Sequence, residues 1–121
     1  MSMHSRIAKK FWHAISGLRY AGRYDPGFRL QVAGGAVAVV LIVYFLRPLS
    51  ATESLFLLLA VALVWITELQ NSALEHLIDH LHPEEHAVVK HVKDMAAAAV
   101  LLAGSFAGAV LLVLLFSRSL W

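Results

Sequence analysis

Ser54 to Asp79 reads SLFLLLAVALVWITELQNSALEHLID. Its first half, up to Ile66, is apolar and uncharged, as expected of a chain buried in lipid. Its second half introduces Glu68, Asn71, Glu75 and Asp79 at steps of three or four residues. If one helix runs through both halves, these side chains share a face. Glu68 then lies at or just inside the edge of a bilayer, where an ionisable group costs several kcal/mol and is seldom kept without a task. Like charges so spaced repel, so the stripe requires a neutralising partner. A divalent cation carried by a phosphate suits it, because magnesium takes oxygen ligands from one or two carboxylates plus substrate phosphates. Interhelical ion pairs or a solvated helix end are the bland alternatives.

The remainder of the chain agrees with a membrane setting. At 121 residues it forms one domain at most, and 60% of it is hydrophobic, with a mean hydropathy of +0.71; a water-soluble domain is excluded. The absence of cysteine rules out disulfides. Arg6, Lys9, Lys10, Arg19, Arg23, Arg29, Lys90 and Lys93 fall on one side of the predicted spans, leaving Arg47 and Arg118 for the other. That asymmetry predicts a cytoplasmic N-terminus and an outer C-terminus. The basic residues follow no nucleic-acid-binding motif, so no nucleic-acid partner is expected.

In chain order, Ile7, Phe11, Ile15 and Leu18 recur at helical spacing, with Arg6, Lys9, Lys10 and His13 pointing elsewhere. Residues 4–24 are predicted to form an amphipathic helix on the membrane surface, with Trp12 near the headgroups. Gly22 and an Asp25-Pro26-Gly27 turn are expected to end it. Phe28 and Arg29 mark where the chain enters the membrane. The first span is expected over 30–47, with Gly34 and Gly35 for close helix contact. A short outer turn at Arg47 to Ser50 follows, with Ser50 or Thr52 capping the next helix. The second span and its aqueous extension cover 53–81, stopped by His82-Pro83. The third covers 88–117, with small residues from Ala96 to Gly108 for tight packing and Trp121 at the outer interface. The fold class is therefore all-α integral membrane.

Glu68, Asn71, Ser72, Ala73, Glu75 and Asp79, followed by Lys93, Asp94 and AAAAVLLA, resemble the signature of the prokaryotic integral-membrane diacylglycerol kinase family, which includes undecaprenol kinases. The likeness covers most of the chain in order and rests on two separate motifs. It implies a homotrimer in the bacterial inner membrane that transfers the γ-phosphate of MgATP to a membrane lipid. Diacylglycerol, giving phosphatidic acid, is the first choice of acceptor and undecaprenol the alternative. By the same resemblance Glu68 is the base and Glu75 a metal ligand. Asp25 matches a second metal-binding acid, usually glutamate, and Arg6, Glu84, His86, Lys93 and Asp94 match nucleotide-contacting positions, with Glu85 beside them. His13 stands where the family has a tyrosine, and Gln31 where a glutamate is familiar.

The residues support the same chemistry on their own terms. Phosphoryl transfer needs charge neutralisation at the donor, an aligned acceptor hydroxyl and a group to take its proton. Glu68, nearest the lipid, is placed for the proton, Glu75 for magnesium, and Lys93 for a phosphate. Phe28, Arg29, Gln31, Asn71 and Asp79 are expected to support the site. The chain contains neither GxxxxGK[ST] nor GxGxxG, which excludes a P-loop or a protein-kinase glycine loop. Two rival classes stand beside the kinase. His76 and His80 are one turn apart, with His82, His86 and His91 following, so a small metal-binding or transport protein is a competing reading. A packing partner of a larger complex is the third.

Overall fold

The computed structural model describes residues 2–119; Trp121, expected at the outer interface, lies outside them. Four helices follow in order: α1 (Met3–Tyr24), α2 (Pro26–Leu46), α3 (Ala51–Leu81) and α4 (Ala87–Ser119). The last three are each long and apolar enough to cross a membrane, and the protein is a multi-pass membrane protein. Its 31-residue α3 is about 46 Å long at 1.5 Å per residue, against about 30 Å of hydrocarbon. One unbroken helix therefore carries both the apolar run and the acidic stripe.

The junction between α1 and α2 differs from the expected turn. Asp25 alone separates them: its N–H donates to the Ala21 carbonyl, closing α1, and its side chain accepts from the Phe28 N–H, opening α2. Pro26 and Gly27 already belong to α2, and Gly22 remains inside α1. The reason is positional, because a proline at the first helical position loses no hydrogen bond and has a helical φ in advance. A single capping carboxylate thus replaces a loop.

The most extensive helix contact is between α3 and α4, with α2 laid on α3 and α1 folded against α2. Ala60, Val110 and Leu114 form the buried cluster, flanked by Ile42, Leu46, Leu49, Phe106 and Ala107. Much of the remaining apolar surface, such as Val40, Leu58, Leu102 and Val113, is exposed. In a bilayer that surface faces lipid, so close packing and satisfied polar groups hold the helices together rather than exclusion of water.

At the end of the bundle away from the acidic stripe, a polar clamp closes the structure. Ser50 and Glu53 form a reciprocal capping box at the start of α3: the Glu53 N–H donates to Ser50 Oγ at 3.1 Å and the Ser50 N–H to Glu53 Oε2 at 2.8 Å. Arg118, near the end of α4, reaches back to it. Its guanidinium donates to the Leu46 carbonyl, at 3.1 and 3.0 Å, and to the Pro48 carbonyl at 2.9 Å, and it is ion-paired with Glu53. Leu46 ends α2, so its carbonyl has no intrahelical partner and would otherwise be orphaned. One arginine therefore joins the ends of α2, α3 and α4. Arg118→Met should lower the thermal unfolding midpoint in detergent, followed by circular dichroism, more than Glu53→Gln does. Glutamine keeps an oxygen for the cap and leaves Arg118 on the carbonyls; an equal or smaller effect of Arg118→Met would exclude the clamp.

Candidate active site

The acidic stripe of α3 meets the Asp25 junction at the opposite end of the bundle. Asp25 and Glu68 are both buried, at 7% and 9% exposure, and Ser72 beside them is buried as well. Gly27 is what allows this approach. A Cβ built there would lie 2.6 Å from Glu68 Oε1 and 3.3 Å from Asp25 Oδ1, so any side chain would drive the Glu68 carboxylate away. One acid comes from the α1–α2 junction and the other from α3, and the two share one glycine-lined notch. Glu75 is close enough to repel the Glu68 charge, as is Asp25. Glu68 has no hydrogen-bond or ion-pair partner among the described residues.

Asp25 is held differently. Burial alone would push its carboxyl up, but the Ser72 hydroxyl, the Phe28 N–H and nearby His76 together outweigh it, and it lies below the ordinary aspartate value of 3.8. Phe28 N to Asp25 Oδ1 is 3.0 Å. Asp25 is thus kept ionised beside Glu68. Asn71 adds a further unmet group: its Oδ1 is buried with no hydrogen-bond partner. A buried acceptor left unpaired costs stability unless a ligand or water completes it.

One groove opens on this notch and a second lies further along α3. The apolar one, about 820 Å³, lies between α1 and α3 and is lined by residues such as Leu18, Ala21, Leu69 and Leu77, with Asp25, Ser72 and His76 in its wall. The Tyr20 and His76 rings meet edge to face across it, with centroids 6.5 Å apart. The polar one, about 450 Å³, lies between the end of α3 and the start of α4 and is lined by Asp79, Glu84, Glu85, His86, Lys93 and Asp94 among others. There Lys93 Nζ is paired with Asp79 Oδ1 at 2.8 Å, and Lys90 with Asp94 at 2.7 Å.

Of the residues singled out in the sequence, the structure gathers Asp25 and Glu68 around one notch, with Glu75 within reach of the Glu68 charge, and Asp79, Glu84, Glu85, His86, Lys93 and Asp94 around one groove. Phe28 is buried under the junction, and Gln31 lies half-buried on α2, its main-chain carbonyl accepting from Trp65. Arg6, His13 and Arg29 are exposed, and no side-chain contact brings them to either groove among the described residues. Three features escape sequence reading: the bond of Ser72 to Asp25 and the close approach at Gly27, which need the α2–α3 register to be known, and the capping role of Asp25. The Asp-Pro pair is the local signal for that cap. No three His, Asp or Glu side chains among the described residues form a metal cage. Asp25, Glu75 and the unpartnered Asn71 Oδ1 offer oxygen donors, the ligand type a hard cation takes alongside phosphate.

Asp25 gains stability when ionised in the folded state. The contribution is present above the ordinary value of 3.8 and is lost as pH falls through the lower folded value. Asparagine also caps helices, so Asp25→Asn should keep α2 intact while removing this pH dependence. The parent's advantage in thermal midpoint over Asp25→Asn should shrink on acidification below about pH 4; an advantage constant from pH 7 to pH 3 would exclude it.

Residues 12–115 match the family model for prokaryotic diacylglycerol kinase. The chain is 34% identical over 114 residues to the diacylglycerol kinase of Escherichia coli strain K12, covering 94% of this chain and 92% of that one. To the undecaprenol kinase of Bacillus subtilis strain 168 it is 35% identical over 96 residues, covering 79% and 76%. The diacylglycerol kinase of Pseudomonas aeruginosa is 35% identical over 98 residues, covering 81% and 78%. With most of its length matched, and with a buried carboxylate notch at the end of three membrane-length helices, the chain belongs to the prokaryotic diacylglycerol kinase family of lipid kinases.

Proposed function

We propose that this protein transfers the γ-phosphate of ATP to the primary hydroxyl of diacylglycerol, giving phosphatidic acid. The observation that carries this reading is the convergence of Asp25 and Glu68 at Gly27, at the level where a lipid hydroxyl and a water-borne phosphate can meet. Glu68 accepts the proton of the lipid hydroxyl as the oxygen attacks the γ-phosphorus in line, the bond to the β,γ-bridging oxygen breaks and ADP leaves. Its lack of an internal partner leaves both oxygens available for that proton. Asp25 and Glu75 would hold a magnesium ion, with Asn71 at hand, and the bound ion would supply charge neutralisation to the donor phosphates.

The grooves supply the two substrates. The apolar groove between α1 and α3 suits an acyl chain and poorly suits a triphosphate. The polar groove suits the nucleotide: Lys93 turns from Asp79 to a phosphate, and Glu84, Glu85, His86 and Asp94 surround the remainder. Arg6 and His13 reach the nucleotide from α1. In this reading α1 lies on the cytoplasmic face of the inner membrane, with Arg6, Lys9 and Lys10 toward water and headgroups. The C-terminus is outside, the whole chain is one kinase domain, and three copies assemble.

Undecaprenol is the second reading for the acceptor, favoured by the 35% identity to the Bacillus subtilis enzyme. Purified protein supplied with MgATP and either lipid distinguishes them by product. With the preferred lipid, Glu68→Gln should reduce kcat about 10²- to 10⁴-fold, the range for loss of a general base, with helix content preserved. Glu75→Gln should raise the magnesium concentration needed for half-maximal rate. Turnover of Glu68→Gln at the parent rate would overturn the reading.

A further inference from the structure

On α2, Gly27, Gln31 and Gly35 recur every four residues and share one face. On α3, Trp65 precedes Glu68 by three residues, so the two side chains are neighbours on the face turned to α2. The Trp65 indole Nε1 donates to the Gln31 main-chain carbonyl at 3.1 Å. That carbonyl lies inside a helix, and its second lone pair is free to accept this bond. A Cβ built at Gly35 would lie 2.8 Å from Trp65 Nε1 and 3.4 Å from Cε2. The indole therefore rests in a notch that exists only because residue 35 has no side chain. One face of α2 thus carries two glycine notches, one filled by Trp65 and the other, at Gly27, by the Glu68 carboxylate.

A carboxylate without an internal partner, pressed against a second carboxylate, has every electrostatic reason to swing away. Its own contacts do not hold it. Ser72 ties α3 to Asp25 at the junction, but one turn into the membrane segment the directional bond from α3 to α2 is that of Trp65, and in lipid an indole N–H has few other acceptors. We propose that Trp65 is a positioning residue: seated on Gly35 and bonded to the Gln31 carbonyl, it fixes the rotation of α3 that keeps Glu68 beside Asp25 at Gly27. This rests on the reading of Glu68 as the proton acceptor. It also gives residue 31 a part that its amide does not play, since the main chain is what Trp65 engages.

The test combines turnover with a probe of the Glu68 carboxyl that needs no turnover. Trp65→Phe keeps an aromatic ring in the notch but loses the donor, Trp65→Ala loses both, and Gly35→Ala expels the indole. In protein that retains helix content and elutes as the parent does, kcat should fall a few-fold in Trp65→Phe and about tenfold to a hundredfold in the other two, as for small misplacements of a reacting group. The KM for MgATP should stay unchanged. Labelling of Glu68 by a hydrophobic carbodiimide, located by mass spectrometry, should become faster in the same order. Trp65→Ala should add no further loss to Glu68→Gln. Parent-like kcat in Trp65→Ala, losses that merely track unfolded protein, or unchanged labelling would overturn the proposal. Faster labelling in Trp65→Ala together with full turnover of Glu68→Gln would instead remove the premise about Glu68, and the catalytic meaning of the lock with it.

Discussion

The structure turns on the closeness of α2 and α3 at glycine. Two carboxylates, Asp25 and Glu68, are buried together where Gly27 leaves no Cβ between them. Burying like charges side by side is unfavourable, and no ion pair among the described residues neutralises Glu68. The arrangement persists because the backbone is already committed elsewhere. Asp25 is held as the cap that ends α1 and starts α2, and Glu68 is carried by a helix 31 residues long. Neither can retreat without undoing a helix. Strain of this kind belongs where a ligand is to arrive, since a cation or a proton turns the repulsion into attraction.

The opposite end of the bundle solves the reverse problem. There the helix ends offer orphan carbonyls and no excess of negative charge, and Arg118 satisfies Leu46 and Pro48 while pairing with Glu53. The half-buried charges of that end, Glu53 and Arg118, partner each other. At the site end, Glu68 and Asn71 Oδ1 have no partner among the described residues. With similar helices running through both ends, the difference in satisfaction, rather than in composition, separates the clamp from the candidate site.

What could be read in the sequence was whatever depends on one helix at a time. The unbroken α3, with its apolar run passing into an acidic stripe, follows from spacing alone, as does its stop at His82-Pro83. What could not be read depends on register between helices. Ser72 looks like one more small residue until α2 places Asp25 beside it, and Arg118 looks like a surface charge until the bundle brings it back to Glu53. A one-residue junction stands in place of the expected turn at Asp25 to Gly27, because the Asp25 cap and the proline geometry act together. Gly27 and Gly35 differ from Gly34 only in what faces them: a side chain would collide at the first two and meet nothing within 4 Å at the third.

Family membership and physical reading also divide the work between them. Membership supplies the reaction class, because no glycine loop announces a nucleotide site in this chain. The physical reading supplies the reason this class can work without one. A P-loop holds phosphate with backbone N–H groups and so needs glycine at the loop; here the anionic side chains are gathered by close helix packing, and glycine is spent inside the helices. The requirement for residues without a side chain has moved from a loop to the contact between two membrane helices. Trp65 follows from that move, since a contact made close enough for two carboxylates must be held in register by something rigid and uncharged.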